Sequence, residues 1–168
     1  MEKLNINQWA EEDRPREKMA RGVMNRNEMN NRVDEIAGNA ELSDKSVGII
    51  FIDLNGLKRT NDERGHLAGD ILLKEAASIL KNLFGQDEIY RAGGDEFMVL
   101  SFATTEEALN KKIGELRKQV ELSDTVSFAI GSFFDANSNN ILSAMTKADK
   151  RMYDDKELYY AEHPEKKR

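Results

Sequence analysis

Apolar positions along the chain fall into two patterns, short runs that suit buried strands and stripes at helical spacing. Val47–Leu54 is a nearly continuous apolar run with Asp53 near its end, as expected for a central strand covered on both faces. Upstream, Asn25 and Glu28 form an Asn-x-x-Glu capping box. Behind it Met29, Val33 and Ile36 make one apolar face, with Gly38 as the stop. A polar, glycine-bearing stretch over residues 55–69 precedes a helix over residues 70–84. Its inward stripe is Leu72, Ala76, Ile79, Leu80 and Leu83, and its stop is Gly85. Residues 88–92 and 95–102 read as two short strands around Gly93-Gly94, the strongest hairpin signal in the chain, because glycine takes positive φ without a Cβ clash. Thr104 and Glu107 make a second capping box, followed by the stripe Leu109, Ile113, Leu116 and Val120. Residues 125–134 predict a further strand, and residues 140–160 a last helix burying Ile141, Met145, Ala148 and Met152.

Strands alternating with helices, plus one hairpin, predict an α/β fold: a three-layer sandwich around a mixed central β-sheet with an antiparallel β-hairpin. Residues 1–21, mostly polar with a lone Trp9 and with Pro15, read as a lead-in, a stalk or linker that could come from an upstream sensor domain. Residues 22–162 form the domain and residues 163–168 a charged tail.

Composition narrows the function classes. At 168 residues and 39% hydrophobic content the chain suits one domain with a sizeable core. Its formal net charge of -6 argues against duplex nucleic acid as a partner, since phosphate-backbone binding needs a dense basic patch. A small nucleotide survives that objection, because a few local cations and metal ions can hold a triphosphate. With no cysteine, disulfides and thiolate metal sites are excluded. No apolar run approaches the roughly 18 residues of a membrane span, so the expectation is a soluble, cytoplasmic domain without membrane insertion.

Two acidic points then stand out, Asp53 where a buried strand emerges and Asp95-Glu96 at a hairpin tip. A carboxylate beside a hydrophobic strand is costly unless cations or donors compensate it. If the hairpin lies beside the Asp53 strand, the carboxylates converge into a site for magnesium, which takes one or two carboxylates plus phosphate and water. A calcium loop starting at Asp53 fails, with Leu57 where an oxygen ligand belongs and Arg64 where the closing glutamate should be. A Walker-type phosphate loop is absent as well.

Gly93-Gly94-Asp95-Glu96-Phe97, with Arg91 before it, is the signature of the GGDEF family. The block Phe51-Ile52-Asp53-Leu54-Asn55-Gly56-Leu57-Lys58, continuing through Asn61-Asp62 and Gly65-His66 to Gly69-Asp70, resembles that family's second long motif in type and spacing. The resemblance covers residues 24–156 and implies a nucleotidyl-cyclase, palm-like architecture and diguanylate cyclase activity: two GTP condensed into cyclic di-GMP by a homodimer with Mg2+ or Mn2+. It implies that Asp53, Asp95, Glu96 and the Leu54 carbonyl hold the metals, and that Asp95 or Glu96 helps deprotonate the attacking 3′-hydroxyl. Lys58 would steady the triphosphate, while Gly93 and Gly94 would let the backbone approach phosphate. Asn61 and Asp70 would read guanine, Asp70 accepting from N1-H and N2-H₂, with His66 beside them and Lys156 as a further cation.

This sequence departs from the family pattern in three places. The motif leading into the first helix is Lys18-Met19-Ala20-Arg21-Gly22, without the usual Asp and Thr. The C-terminal Gly-Arg pair is replaced by Tyr159-Tyr160, which predicts weaker GTP binding. The Arg-x-x-Asp motif that binds product as an inhibitor is replaced by Phe84-Gly85-Gln86-Asp87, which predicts weak or absent product inhibition. Two other readings stay open: a GTP-binding regulatory module without turnover, and a dimerisation domain with no nucleotide role.

Overall fold

The computed structural model of the chain describes residues 22–166, so the expected lead-in and most of the altered motif at Lys18-Met19-Ala20-Arg21 lie outside the described residues. The apolar run Val47–Leu54 forms strand β1, and every residue of it is buried. Around it stands a four-stranded sheet of order β2-β3-β1-β4, with β2 at Glu88–Arg91, β3 at Glu96–Phe102 and β4 at Phe128–Asp135.

All strand pairs are antiparallel, which corrects the expectation of a mixed sheet. The only parallel pairing among the described residues is a single bridge, Met24 to Tyr90, at the β2 edge. Helical crossovers do join strands that run in the same direction, as such connections require. Each crossover skips one position, however: β3 inserts between β1 and β2, and β1 lies between β3 and β4. Parallel neighbours are thereby replaced by antiparallel ones.

Side chains alternate along β1, so its two faces collect different helices. Ile50, Ile52 and Leu54 pack with Leu72, Leu73, Ala76, Ala77 and Leu80 of α4 (His66–Leu83), and with Leu109 and Leu116 of α5 (Glu106–Leu122). Val47, Ile49 and Phe51 pack with Met29, Val33 and Ile36 of α1 (Arg26–Ala37), and with Ile141, Ala144, Ala148 and Met152 of α6 (Ile141–Glu162). The result is three layers. By the same alternation Asp53 falls on the α6 side.

The remaining helices are α2 (Ala40–Ser43) and α3 (Leu57–Arg64). The predicted capping box at Asn25 and Glu28 is present in both halves. The second helix cap is shifted by one, with Thr105 rather than Thr104 accepting from the Ala108 N–H. Strand β4 begins at Phe128, later than predicted, because Ser123 holds the preceding turn by accepting from the Thr125 and Val126 N–H groups.

Helix α6 is locked onto β4. Its Asp155 carboxylate accepts the Ile130 N–H at 2.8 Å, and Arg151 donates to the Ser132 carbonyl at 2.8 Å. A Cβ on Gly131 would stand 2.0 Å from the Met152 nitrogen, so glycine is required for this approach. The lock covers an otherwise open strand edge and fixes the rotation of α6 that carries Lys156 to Asp53.

Candidate active site

The site lies where β1 ends. Asp53 faces Glu96 across the β1–β3 ladder, and the next N–H, that of Leu54, donates to the Asp95 carbonyl at 2.7 Å. Opposed residues of an antiparallel pair share a face, so the hairpin tip brings Asp95 and Glu96 to Asp53. Lys156, from the last part of α6, donates to Asp53 Oδ2 at 2.9 Å. The other oxygen, Oδ1, is buried and has no partner.

Burial holds the Asp53 carboxyl above its usual range, the Lys156 ammonium pulls it back, and the Asp95 charge pushes it up again. Glu96 is pushed up to about 6 by burial and then by Asp149, Asp53 and Asp95, with Arg26 opposing. Crowded carboxylates that repel one another in a half-buried setting raise one another's pKa and favour a nearby cation. Among the described residues no group of three or more His, Cys, Asp or Glu side chains is placed to hold a metal ion by itself, so waters and substrate phosphate would have to complete any coordination. An open set with an orphaned buried oxygen fits magnesium, which keeps waters and takes substrate phosphate.

A second group of residues flanks the first. Asn61 on α3 lies against Gly69 on α4, where a Cβ would come within 1.7 Å of Asn61 Oδ1, so only glycine permits this contact. Asp70 follows on α4 and is half-buried. Its charge and that of Asp95 both act on Arg91, which lies at the end of β2 and donates to the Gly94 carbonyl. Lys58 and His66 are exposed, and no contact among the described residues carries either one to the carboxylates.

The double-glycine tip differs from expectation. Positive φ occurs among the glycines at Gly56 (81°) and Gly65 (91°), which turn the chain into α3 and α4, and not at Gly93 or Gly94. A Cβ on Gly94 would meet nothing within 4 Å, and one on Gly93 would make only ordinary contact with Glu96. Neither the backbone nor internal packing therefore demands glycine at the tip.

A family model for the diguanylate cyclase, GGDEF domain, matches residues 20–159. This chain belongs to the GGDEF family. Among curated relatives, the cyclic di-GMP phosphodiesterase PdeR of Escherichia coli is 33% identical over 60% of this chain and 15% of its own length. Diguanylate cyclase A of Treponema denticola is 34% identical over 67% of this chain and 33% of its own. The chain thus spans a third or less of these relatives. The GGDEF domain of DgcB from Caulobacter crescentus, solved in complex with c-di-GMP, superposes with a TM-score of 0.70 at 20% identity, covering 84% of this chain and 89% of that one. No helix among the described residues is long and apolar enough to cross a membrane.

Two residues of this GGDEF domain escaped the sequence reading as neighbours of the carboxylates. Asp149 acts on Glu96, and Arg26 both acts on Glu96 and donates to the Ala92 carbonyl beneath the tip. Asp149 lies seven positions before Lys156, two helical turns on the same face, and that spacing was the available signal. At the replaced Gly-Arg pair, Tyr159 and Tyr160 meet edge-on at 5.1 Å and Tyr159 stacks on His163 at 4.5 Å. At the replaced inhibitory motif, Phe84 is buried in the core, while Asp87 is held by Ser101 at 2.9 Å and Lys112 at 2.8 Å.

Proposed function

We propose that this domain is a diguanylate cyclase, condensing two GTP molecules into cyclic di-GMP with release of two pyrophosphates. The observation that carries the reading is that Glu96 faces Asp53 across the β1–β3 ladder with Asp95 beside them at the tip, while a buried Asp53 oxygen is left unpaired. A magnesium or manganese ion held by Asp53, Asp95, Glu96 and the Leu54 carbonyl would neutralise charge on the α-phosphate and leaving group and favour ionisation of the attacking hydroxyl.

The chain's own residues supply the rest. The open surface over Gly94 lets phosphate oxygens come down to the backbone of the tip. Lys156 offsets the charge of Asp53, and Lys58, on the first turn of α3, reaches from the surface toward the triphosphate. Asp95 or Glu96, both beside Asp53 at the tip, would accept the 3′-hydroxyl proton. Asp70 accepts from guanine N1-H and N2-H₂ with Asn61 beside it, and His66 borders the base. Adenine would leave Asp70 unpaired at a cost of about 1–3 kcal/mol for each lost partner. One protomer holds one GTP, so a two-fold product requires a second copy whose 3′-hydroxyl attacks in turn.

Concentrated protein incubated with GTP and Mg2+ should release pyrophosphate and form a cyclic dinucleotide detectable by mass spectrometry. Binding without turnover would instead assign a GTP-binding regulatory module, and absence of binding a dimerisation domain. Asp70→Ser should relax selection against ATP by about 10-fold or more, and an unchanged GTP/ATP ratio removes that role. Because Phe84 and Asp87 are committed to internal contacts, added product should inhibit weakly.

A further inference from the structure

Arg26 is the first residue of α1, a place where helix electrostatics disfavours a cation, because the free N–H groups already make that end positive. The helix itself does not call for it. Its guanidinium instead leaves α1 and donates to the Ala92 carbonyl, 66 positions along the chain. Ala92 lies just past Arg91–Phe97, the last pair of the β2–β3 ladder, and opens the turn that carries Asp95 and Glu96. Backbone contacts close that turn. The Ala92 and Gly93 N–H groups donate to the Glu96 carbonyl at 2.8 and 3.1 Å, and the Asp95 carbonyl accepts from Leu54 at the end of β1. The chain entering α1 is stitched to β2 as well: the Met24 N–H donates to the Ile89 carbonyl at 2.8 Å, and the Met24 carbonyl accepts from Arg91 at 2.7 Å.

These contacts make a continuous path from the start of α1 to the acids. At Ala92 a side chain, rather than the ladder, holds the turn. Were that carbonyl released, the two hydrogen bonds into Glu96 would carry the shift to the tip carboxylates, and a misplacement of about 1 Å can cost about 100-fold in rate. Arg32 supplies a contrast on the same helix, since it grips the far end of β2 through Glu88 at 3.0 Å and so braces α1 away from the turn. We infer that Arg26 is a positioning residue for catalysis, holding the Ala92 carbonyl so that the Asp95-Glu96 turn keeps its place beside Asp53. The inference rests on the proposed cyclase reading.

The test follows pyrophosphate release over a range of GTP concentrations at saturating Mg2+, on the full chain and on Arg26→Met, Arg26→Lys and Arg32→Met. Arg26→Met removes the donor and should lower kcat about 10-fold while leaving the KM for GTP within about twofold. Arg26→Lys keeps a charged donor of similar reach and should recover most of the rate. Arg32→Met removes the other brace of α1 on β2 and should keep kcat within about twofold of wild type. If Arg26→Met is unfolded at the assay temperature, Arg26→Gln, polar but shorter, carries the test with the same expected loss. A wild-type kcat in the folded Arg26 variant overturns the inference and leaves the cyclase reading intact. An equal loss in Arg32→Met, or a loss confined to KM, does the same. No pyrophosphate release from wild type itself overturns the cyclase reading, and this inference with it.

Discussion

The two ends of the sheet treat buried polar groups in opposite ways. Where β1 begins, they are paired. Ser138 is wholly buried, and its hydroxyl lies 3.1 Å from the Leu42 carbonyl and 2.8 Å from that of Lys45. Ser101 donates to Asp87, whose other oxygen takes Lys112. Where β1 finishes, three buried side-chain atoms among the described residues have no partner: Asp53 Oδ1, Asn55 Oδ1 and Arg91 Nε. A buried polar atom left unpaired costs about 1–3 kcal/mol, so selection for stability alone would have paired or replaced these. One end pairs its buried polar atoms within the chain, and the other leaves three of them without a partner among the described residues, where the proposed site lies.

The largest effect that can break this contrast is at the tip. Asp95→Ala should lower turnover by about 10³-fold while a thermal melt stays close to wild type, because Asp95 is half-buried and holds the fold through its backbone. Retention of full rate would remove Asp95 from the site. Next comes Ser138→Ala at the paired end. It should cost about 1–3 kcal/mol in urea unfolding and leave GTP affinity within about twofold. A variant that binds GTP much more weakly with unchanged stability would reverse the roles given to the two ends. Asp53→Asn tests the same trade at the open end. It removes a carboxylate that burial and Asp95 both disfavour, and Asn can still accept from Lys156. Stability should rise by about 1 kcal/mol, and the increase in melting temperature on adding Mg2+ should disappear. A variant that still gains stability from Mg2+ would show that the ion binds elsewhere.

What could be read from the sequence follows how strongly each segment patterns itself. The β1 run, the inward stripes of α4 and α5 and the capping box of α1 are visible because each buries apolar side chains at its own period. The acidic pair of positions, Asp53 and Asp95-Glu96, is visible because charge next to apolar runs is costly. Helix α3 is not visible, since Leu57 is its only buried residue and no stripe forms. The helix α4 also starts at His66, within the stretch read as polar loop, because Gly65 supplies the positive φ that joins it to α3. Glycine alone does not announce whether backbone or approach requires it: the sequence assigns positive φ to Gly93-Gly94, and Gly56 and Gly65 adopt it. The Lys156–Asp53 contact joins residues 103 positions apart and depends on α6 locking to β4 through Gly131. No local pattern encodes that.

The smallest expected effect is a pH dependence confined to the open end. The Glu96 carboxyl is raised from its ordinary 4.5 to about 6, first by burial and then by Asp149, Asp53 and Asp95. A carboxyl with a folded pKa above its unfolded value binds its proton more tightly in the folded state. Its contribution is fully present below about 4.5 and is lost as pH rises through about 6. The gap corresponds to about 2 kcal/mol, which solvent screening at this half-exposed group reduces to about 1 kcal/mol or less. Metal-free protein should therefore lose stability between pH 4.5 and 7, and Glu96→Gln should lose less. Asp53, raised in the same direction, leaves a residual slope in the variant. Urea midpoints across that window measure the difference. Equal slopes for wild type and Glu96→Gln would mean that the strain at this end is carried by Asp53 alone, and that Glu96 ionises in the fold as readily as in water.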